Sequence, residues 1–118
     1  MRIEKFEDIK AWQKAKELTI LVYAIFKENR DYRFRDQIQS ASVSVMNNIA
    51  EGFERKGNKE LGRFLYISKG SCGEVRSMLY LAIELKYVSQ KDFEVVYNLS
   101  LEISKMLAGF ISKIQPTS

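Results

Sequence analysis

The chain has 118 residues, with 19 lysines and arginines against 15 aspartates and glutamates, no histidine, one cysteine, one proline, and a hydrophobic content of 46%. A chain of this length has room for one domain that hides roughly two thirds of its unfolded surface, which argues against disorder and against a disulfide-dependent scaffold. One proline and six glycines are too few for the turns of a sandwich or barrel, and a net charge of +4 admits polyanions as partners without the excess of a histone-like chain.

Four segments carry apolar residues at three- and four-residue spacing, which predicts helices over about 7–29, 33–56, 59–86 and 90–114. In the first, Ala11, Ala15, Leu18, Val22, Ile25 and Phe26 share one face. The polar break Arg30-Asp31-Tyr32 follows, and Phe34, Ile38, Ala41, Val45 and Ile49 line the second helix to its end near Gly52–Gly57. Lys56-Gly57-Asn58 reads as a basic last turn, a glycine stop and an N-cap at Asn58. Leu61, Leu65, Ser68, Cys72, Val75, Leu79 and Ala82 mark the inner line of the third helix. Ser89 is placed to cap the fourth, with Asp92 at its third position, and Phe93, Val96, Ile103, Leu107, Phe110 and Ile114 face inward before Pro116 closes the pattern. Long helices with tight connections pack as an all-α, antiparallel, up-down-up-down four-helix bundle.

The third helix carries more apolar circumference than such a core needs. Ile67, Met78, Leu81 and Leu85 form a second line about 110° round its axis from the first, which predicts an oligomer interface with a second copy of the chain. Gly70 and Gly73 fall mid-helix, where each costs roughly 1 kcal/mol relative to alanine, and close helix packing is the expected reason.

Catalytic chemistry finds little support. Without histidine the chain lacks the commonest general base and the commonest metal ligand, so no metal and no cofactor are expected. Gly70-Ser71-Cys72-Gly73 lies within helical periodicity, has no activating base, and reads as packing. The carboxylates Glu51, Glu54, Glu74 and Glu84 lack the histidine partners of di-metal bundles, and no phosphate loop is present. Asn98-Leu99-Ser100 matches a glycosylation acceptor by chance inside a helix, and no stretch suggests a leader or a membrane span, so a cytoplasmic location is expected. The tyrosines and Trp12 fit bundle edges, and none is assigned to a ligand.

Cations remain as the functional lead. Lys10 and Lys14 are four apart, Arg55, Lys56, Lys59 and Arg63 gather at the second turn, and Lys69 and Arg76 lie seven apart on one face. Positive groups at such spacing suffice for phosphate contacts that weaken steeply with salt. The interspersed Glu17, Glu54 and Glu60 leave open an ordinary mixed-charge surface.

Three stretches, Ala11-Trp12-Gln13-Lys14-Ala15, Ser44-Val45-Met46-Asn47-Asn48-Ile49-Ala50-Glu51-Gly52, and Arg63-Phe64-Leu65 with Gly70, Ser71 and Glu74, resemble proteins of the 23S rRNA intervening-sequence (S23) family over about residues 6–115. That resemblance implies an up-down bundle assembled as a homopentamer. It also implies kinship with the accessory variability protein of diversity-generating retroelements, a non-catalytic partner of reverse transcriptase with a basic surface for nucleic acid. Gln39-Ser40 stand where the family commonly has two arginines, and Val45-Met46 where it has Ile-Pro, so that segment carries less charge here. Within the motif, Asn47, Asn48, Glu51, Ser71 and Glu74 are expected to form a buried polar network between the second and third helices. The resulting expectation is a non-enzymatic, oligomeric bundle that binds RNA or DNA; the alternative is a scaffold that docks a reverse transcriptase or another enzyme without holding nucleic acid.

Overall fold

Apolar stripes on four long helices leave each helix one face to hide, and the computed structural model, which describes residues 3–114, hides them against one another. Helix α1 spans Lys10–Phe26, α2 Tyr32–Glu54, α3 Asn58–Glu84 and α4 Gln90–Ile114, and no strand occurs among the described residues. The described residues form a rod of 45 × 23 × 22 Å. Cross-helix bonds fix the antiparallel sense. Gln37 donates to Glu74, Ser44 pairs with Ser71 and Ser68 donates to the Val45 carbonyl, so positions rise on α2 as they fall on α3. The bonds from Tyr80 to Tyr97 and from Arg76 to Ser100 set α4 against α3 in the same way, and Lys14 facing Glu102 closes the ring of helices between α1 and α4.

The core follows the sequence periodicity closely. Leu18, Val22, Phe26, Ile38, Val45, Ile49, Leu65, Val75, Leu79, Val96, Ile103 and Leu107 are fully buried. Ile25, Leu61, Phe93, Phe110 and Ile114, expected inside, are only partly buried and pack against that core from its margin. Buried Ile9, Val88 and Ile111 extend it beyond the expected rows. Thr19, Ser42, Ser68 and Ser100 sit inside because each hydroxyl bonds a backbone carbonyl, which removes the cost of burying it.

Several local expectations are corrected. Residues 6–8 form a separate 3-10 turn, and Ile9 adopts an extended conformation, so α1 begins at Lys10. Asn58 does not cap α3: Gly57, at φ 91°, holds the cap position and Asn58 is already helical. At the start of α2 the Asp31 carboxylate accepts from the Phe34 N–H, and at the start of α4 the Ser89 hydroxyl accepts from the Asp92 N–H as expected. Helix α3 ends with Lys86 N–H on the Ile83 carbonyl and Tyr87 N–H on the Ala82 carbonyl, a Schellman closure with Lys86 at φ 60° where glycine is usual. Pro116 lies outside the described residues.

The glycine expectation changes most. A Cβ at Gly70 would meet nothing within 4 Å, and one at Gly73 only the Arg76 Nη2 at 3.8 Å, so neither position serves close packing among the helices of this bundle. Gly52 does. A Cβ there would lie 2.7 Å from the Phe64 Cβ, so its absence is what lets α3 approach the end of α2.

Candidate nucleic-acid interface

The cations singled out in the sequence fall into three groups on the structure. Lys10 and Lys14 begin α1; Arg55, Lys56, Lys59 and Arg63 surround the α2–α3 turn; Lys69 and Arg76 lie on the side of α3 next to α4. The antiparallel topology puts the first two groups at the same end of the rod.

The turn arginines are the most heavily engaged. Arg55 meets Glu51 at 3.0 Å and Glu60 at 3.7 Å, and Arg63 meets Glu60 at 3.1 Å. Both guanidinium groups also lie over the Phe64 ring, 5.0 Å and 4.5 Å from its centroid. The Arg63 hydrogen bond holds the Glu60 carboxyl below its ordinary range, helped by the charges of Arg63, Arg55 and Lys59, while Glu60 raises the Arg63 guanidinium in return. Gly52 admits Phe64, Phe64 carries the two arginines, and Glu51 and Glu60 neutralise them. The glutamates were legible at i,i+4 and i,i+3 spacing from the arginines they hold; the shared aromatic ring required the fold.

Elsewhere the cations are freer. Lys14 reaches Glu17 and Glu102 only at 4.0 Å and 3.9 Å, between exposed side chains whose pairing contributes little. Lys10, Lys56, Lys59, Lys69 and Arg76 make no ion pair among the described residues. Arg76 is tethered instead by its Nη1, which lies 3.1 Å from the Ser100 hydroxyl and 3.5 Å from the Ser100 carbonyl. Beneath it, burial pushes the Cys72 thiol up to about 11 against the opposing pull of Arg76, Ser100 and Lys69, so this buried cysteine stays a protonated packing group.

The expected network between α2 and α3 is partial. Asn48 donates to the Ser44 carbonyl at 2.8 Å and to its hydroxyl at 2.9 Å, Ser44 pairs with Ser71 at 2.8 Å, and Gln37 reaches Glu74. Asn47 and Glu51 are exposed and stand outside it, Glu51 being held by Arg55. Among the described residues no cluster of acidic, cysteine or histidine side chains could hold a metal ion, and no helix is long and apolar enough to cross a membrane.

On the outer side of α3, flanking α2, Ile67, Leu81 and Leu85 are 42%, 49% and 46% exposed. Met78, on the same line, is half-buried and packs against the core. On the other flank of α3, Tyr80 packs edge-on to Phe93 and Tyr97 at 5.5 Å and donates a 3.0 Å hydrogen bond to the Tyr97 hydroxyl.

A family model described as 23S rRNA-intervening sequence protein matches residues 7–109 of the chain. Among solved structures, a protein with unknown function from the S23 ribosomal protein family of Bacteroides thetaiotaomicron is similar at a TM-score of 0.81 and 24% sequence identity, over 86% of this chain and 97% of its own. That likeness carries the fold alone. No curated protein matches the chain.

Proposed function

The chain belongs to the 23S rRNA-intervening sequence protein family, and from that premise we propose that it is a non-catalytic, self-associating bundle that binds RNA or DNA through repeated cationic faces. The observation that carries this reading is the contrast among its cations. Arg55 and Arg63 are held by Glu51 and Glu60, whereas Lys69 and Arg76 share one side of α3 without a carboxylate partner among the described residues. A desolvated phosphate would meet no internal competitor there. Modest charge per chain becomes useful when copies are linked, because contacts on joined subunits act at high effective concentration.

Self-association in this reading rests on Ile67, Leu81 and Leu85, which leave an apolar line on α3 that a second copy would cover. A ring of five is the assembly implied by the resemblance. A polynucleotide ligand of this kind is met in the cytoplasm, the location the reading implies.

Titration with generic RNA and DNA at low salt tests the nucleic-acid part. Lys69→Glu with Arg76→Glu is expected to abolish retention and leave the helical signal of the protein unchanged. Binding that survives the double reversal discards these residues; no binding by the unaltered protein discards the function and favours a scaffold that docks another protein.

A further inference from the structure

One flank of α3 carries a run of rings and cations of which α4 engages only Tyr80 and Arg76 by aromatic or hydrogen-bond contacts. Tyr66, Lys69, Gly73, Arg76 and Tyr80 follow one another at spacings of three, four, three and four, which sets them along a single stripe of the helix. Tyr66 and Tyr80 are each 54% exposed although both are large rings. At about 1.5 Å per residue the two tyrosines stand roughly 21 Å apart, with the two cations about 10 Å apart between them. Lys59, exposed and seven residues before Tyr66, continues the line toward the α2–α3 turn, and Glu84, one turn past Tyr80, ends it.

The stripe is preorganised. Phe93 and Tyr97 hold the Tyr80 ring from α4 by T-shaped contacts at 5.5 Å, and the Tyr80 hydroxyl donates to Tyr97, so the ring is fixed in place while the residue stays half exposed. Ser100 engages Arg76 through Nη1, which leaves the remaining guanidinium donors unclaimed. Arg76 Nη2 lies beside Gly73, 3.8 Å from where a Cβ would stand, so no side chain at Gly73 stands along the stripe between Lys69 and the guanidinium. An open line of exposed rings with interleaved, unneutralised cations suits a flexible polyanion whose bases are free to stack; a duplex, with its bases inside, engages only the cations.

Resting on the nucleic-acid reading above, we propose that this α3 stripe is a single-strand site: nucleobases stack on Tyr66 and Tyr80, and phosphates lie on Lys69 and Arg76 to either side of Gly73. Its length corresponds to about six nucleotides at the roughly 3.4 Å repeat of a stacked strand, within the span of other single-strand grooves. Base stacking on a ring is sequence-tolerant, so the site selects strand form rather than sequence.

The test is fluorescence anisotropy with labelled 12-nucleotide oligo-U and oligo-dT, and with a duplex of equal length, on the full chain. Tyr66→Ala, at a position outside every aromatic pair, should weaken both single strands about tenfold or more and leave the duplex within about twofold, while Tyr66→Phe restores single-strand binding. Gly73→Glu keeps the fold independent of the result, because its Cβ has space and glutamate is a better helix former. It should melt at or above the temperature of the unaltered protein, yet bind single strands at least tenfold more weakly, since its carboxylate takes the Arg76 guanidinium. Equal losses for duplex and single strand in Tyr66→Ala, or unchanged single-strand binding in Tyr66→Ala and Gly73→Glu, overturn the stripe while leaving nucleic-acid binding intact. A change in assembly mass without a change in affinity overturns it in favour of a subunit contact. Failure of every oligonucleotide to bind the unaltered protein overturns the function itself.

Discussion

Gly52→Ala should destabilise the protein by about 1–2 kcal/mol, although alanine is the better helix former. The added Cβ would stand 2.7 Å from the Phe64 Cβ and 3.4 Å from the Leu61 carbonyl oxygen. Carbon atoms rest at about 3.5–4.0 Å, so the ends of α2 and α3 must part by roughly 1 Å. The Phe64 Cβ is anchored to its own backbone and cannot turn aside, and overpacking of this kind costs about 1–3 kcal/mol. Against that stands the helix-propensity gain of about 1 kcal/mol, which leaves about 0–2 kcal/mol, and an approach as close as 2.7 Å puts the loss in the upper half of that interval. The control is Gly70→Ala, where the new methyl meets nothing within 4 Å and the same propensity gain should appear unopposed. Thermal melts followed by circular dichroism at one fixed protein concentration separate the two, with Gly52→Ala falling by several degrees and Gly70→Ala rising. If Gly52→Ala melts with or above Gly70→Ala, the close approach of α3 at Gly52 is not what the glycine is for.

Three further outcomes are expected. Lys86→Gly should stabilise by about 0.5–1 kcal/mol in a denaturant titration, because a left-handed lysine costs about 1–2 kcal/mol and glycine returns part of that through its looser unfolded state. The Asp31 carboxyl is held below its ordinary value of 3.8, first by the Tyr87 hydroxyl and then by the Phe34 N–H, and Tyr87 is raised in return. The Asp31 contribution is therefore complete above about pH 4 and lost as pH falls through the lowered value, while that of Tyr87 is complete below about pH 10 and lost above it. The stability gap between the unaltered protein and Tyr87→Phe should be flat between those limits and close at both ends. Glu60→Gln releases Arg63 and one partner of Arg55, and should tighten RNA binding at low salt and steepen its salt dependence by up to about one charge per released guanidinium; an unchanged slope would show that the turn arginines stay bound to Phe64 and Glu51.

The fold was readable because burial on a helix repeats every three to four residues, and Leu18, Val22, Ile38, Val45, Leu65, Leu79, Ile103 and Leu107 keep that period without interruption. The margins were less readable. Phe93, Phe110 and Ile114 obey the same period as Val96 and Ile103, and only the spacing of the neighbouring helices decides that they end half-buried. Glycine roles were inverted for a related reason: Gly70 and Gly73 stand out within their own helix, whereas the need for Gly52 lies in Phe64 on another. Charge was the least legible level. Arg55 and Arg63 look like the strongest basic cluster until Glu51, Glu60 and Phe64 are placed around them, and the Tyr66–Tyr80 stripe has the plain spacing of a bundle edge until its rings are seen to be half in water.

Helix α3 leaves Ile67, Leu81 and Leu85 exposed, and the proposed self-association requires that a second copy cover them. Light scattering coupled to size exclusion measures this directly. The expected mass is a whole multiple of 13.7 kDa that drops to the single-chain value in Ile67→Lys with Leu81→Lys. A mass of 13.7 kDa for the unaltered protein across the accessible concentration range would contradict it.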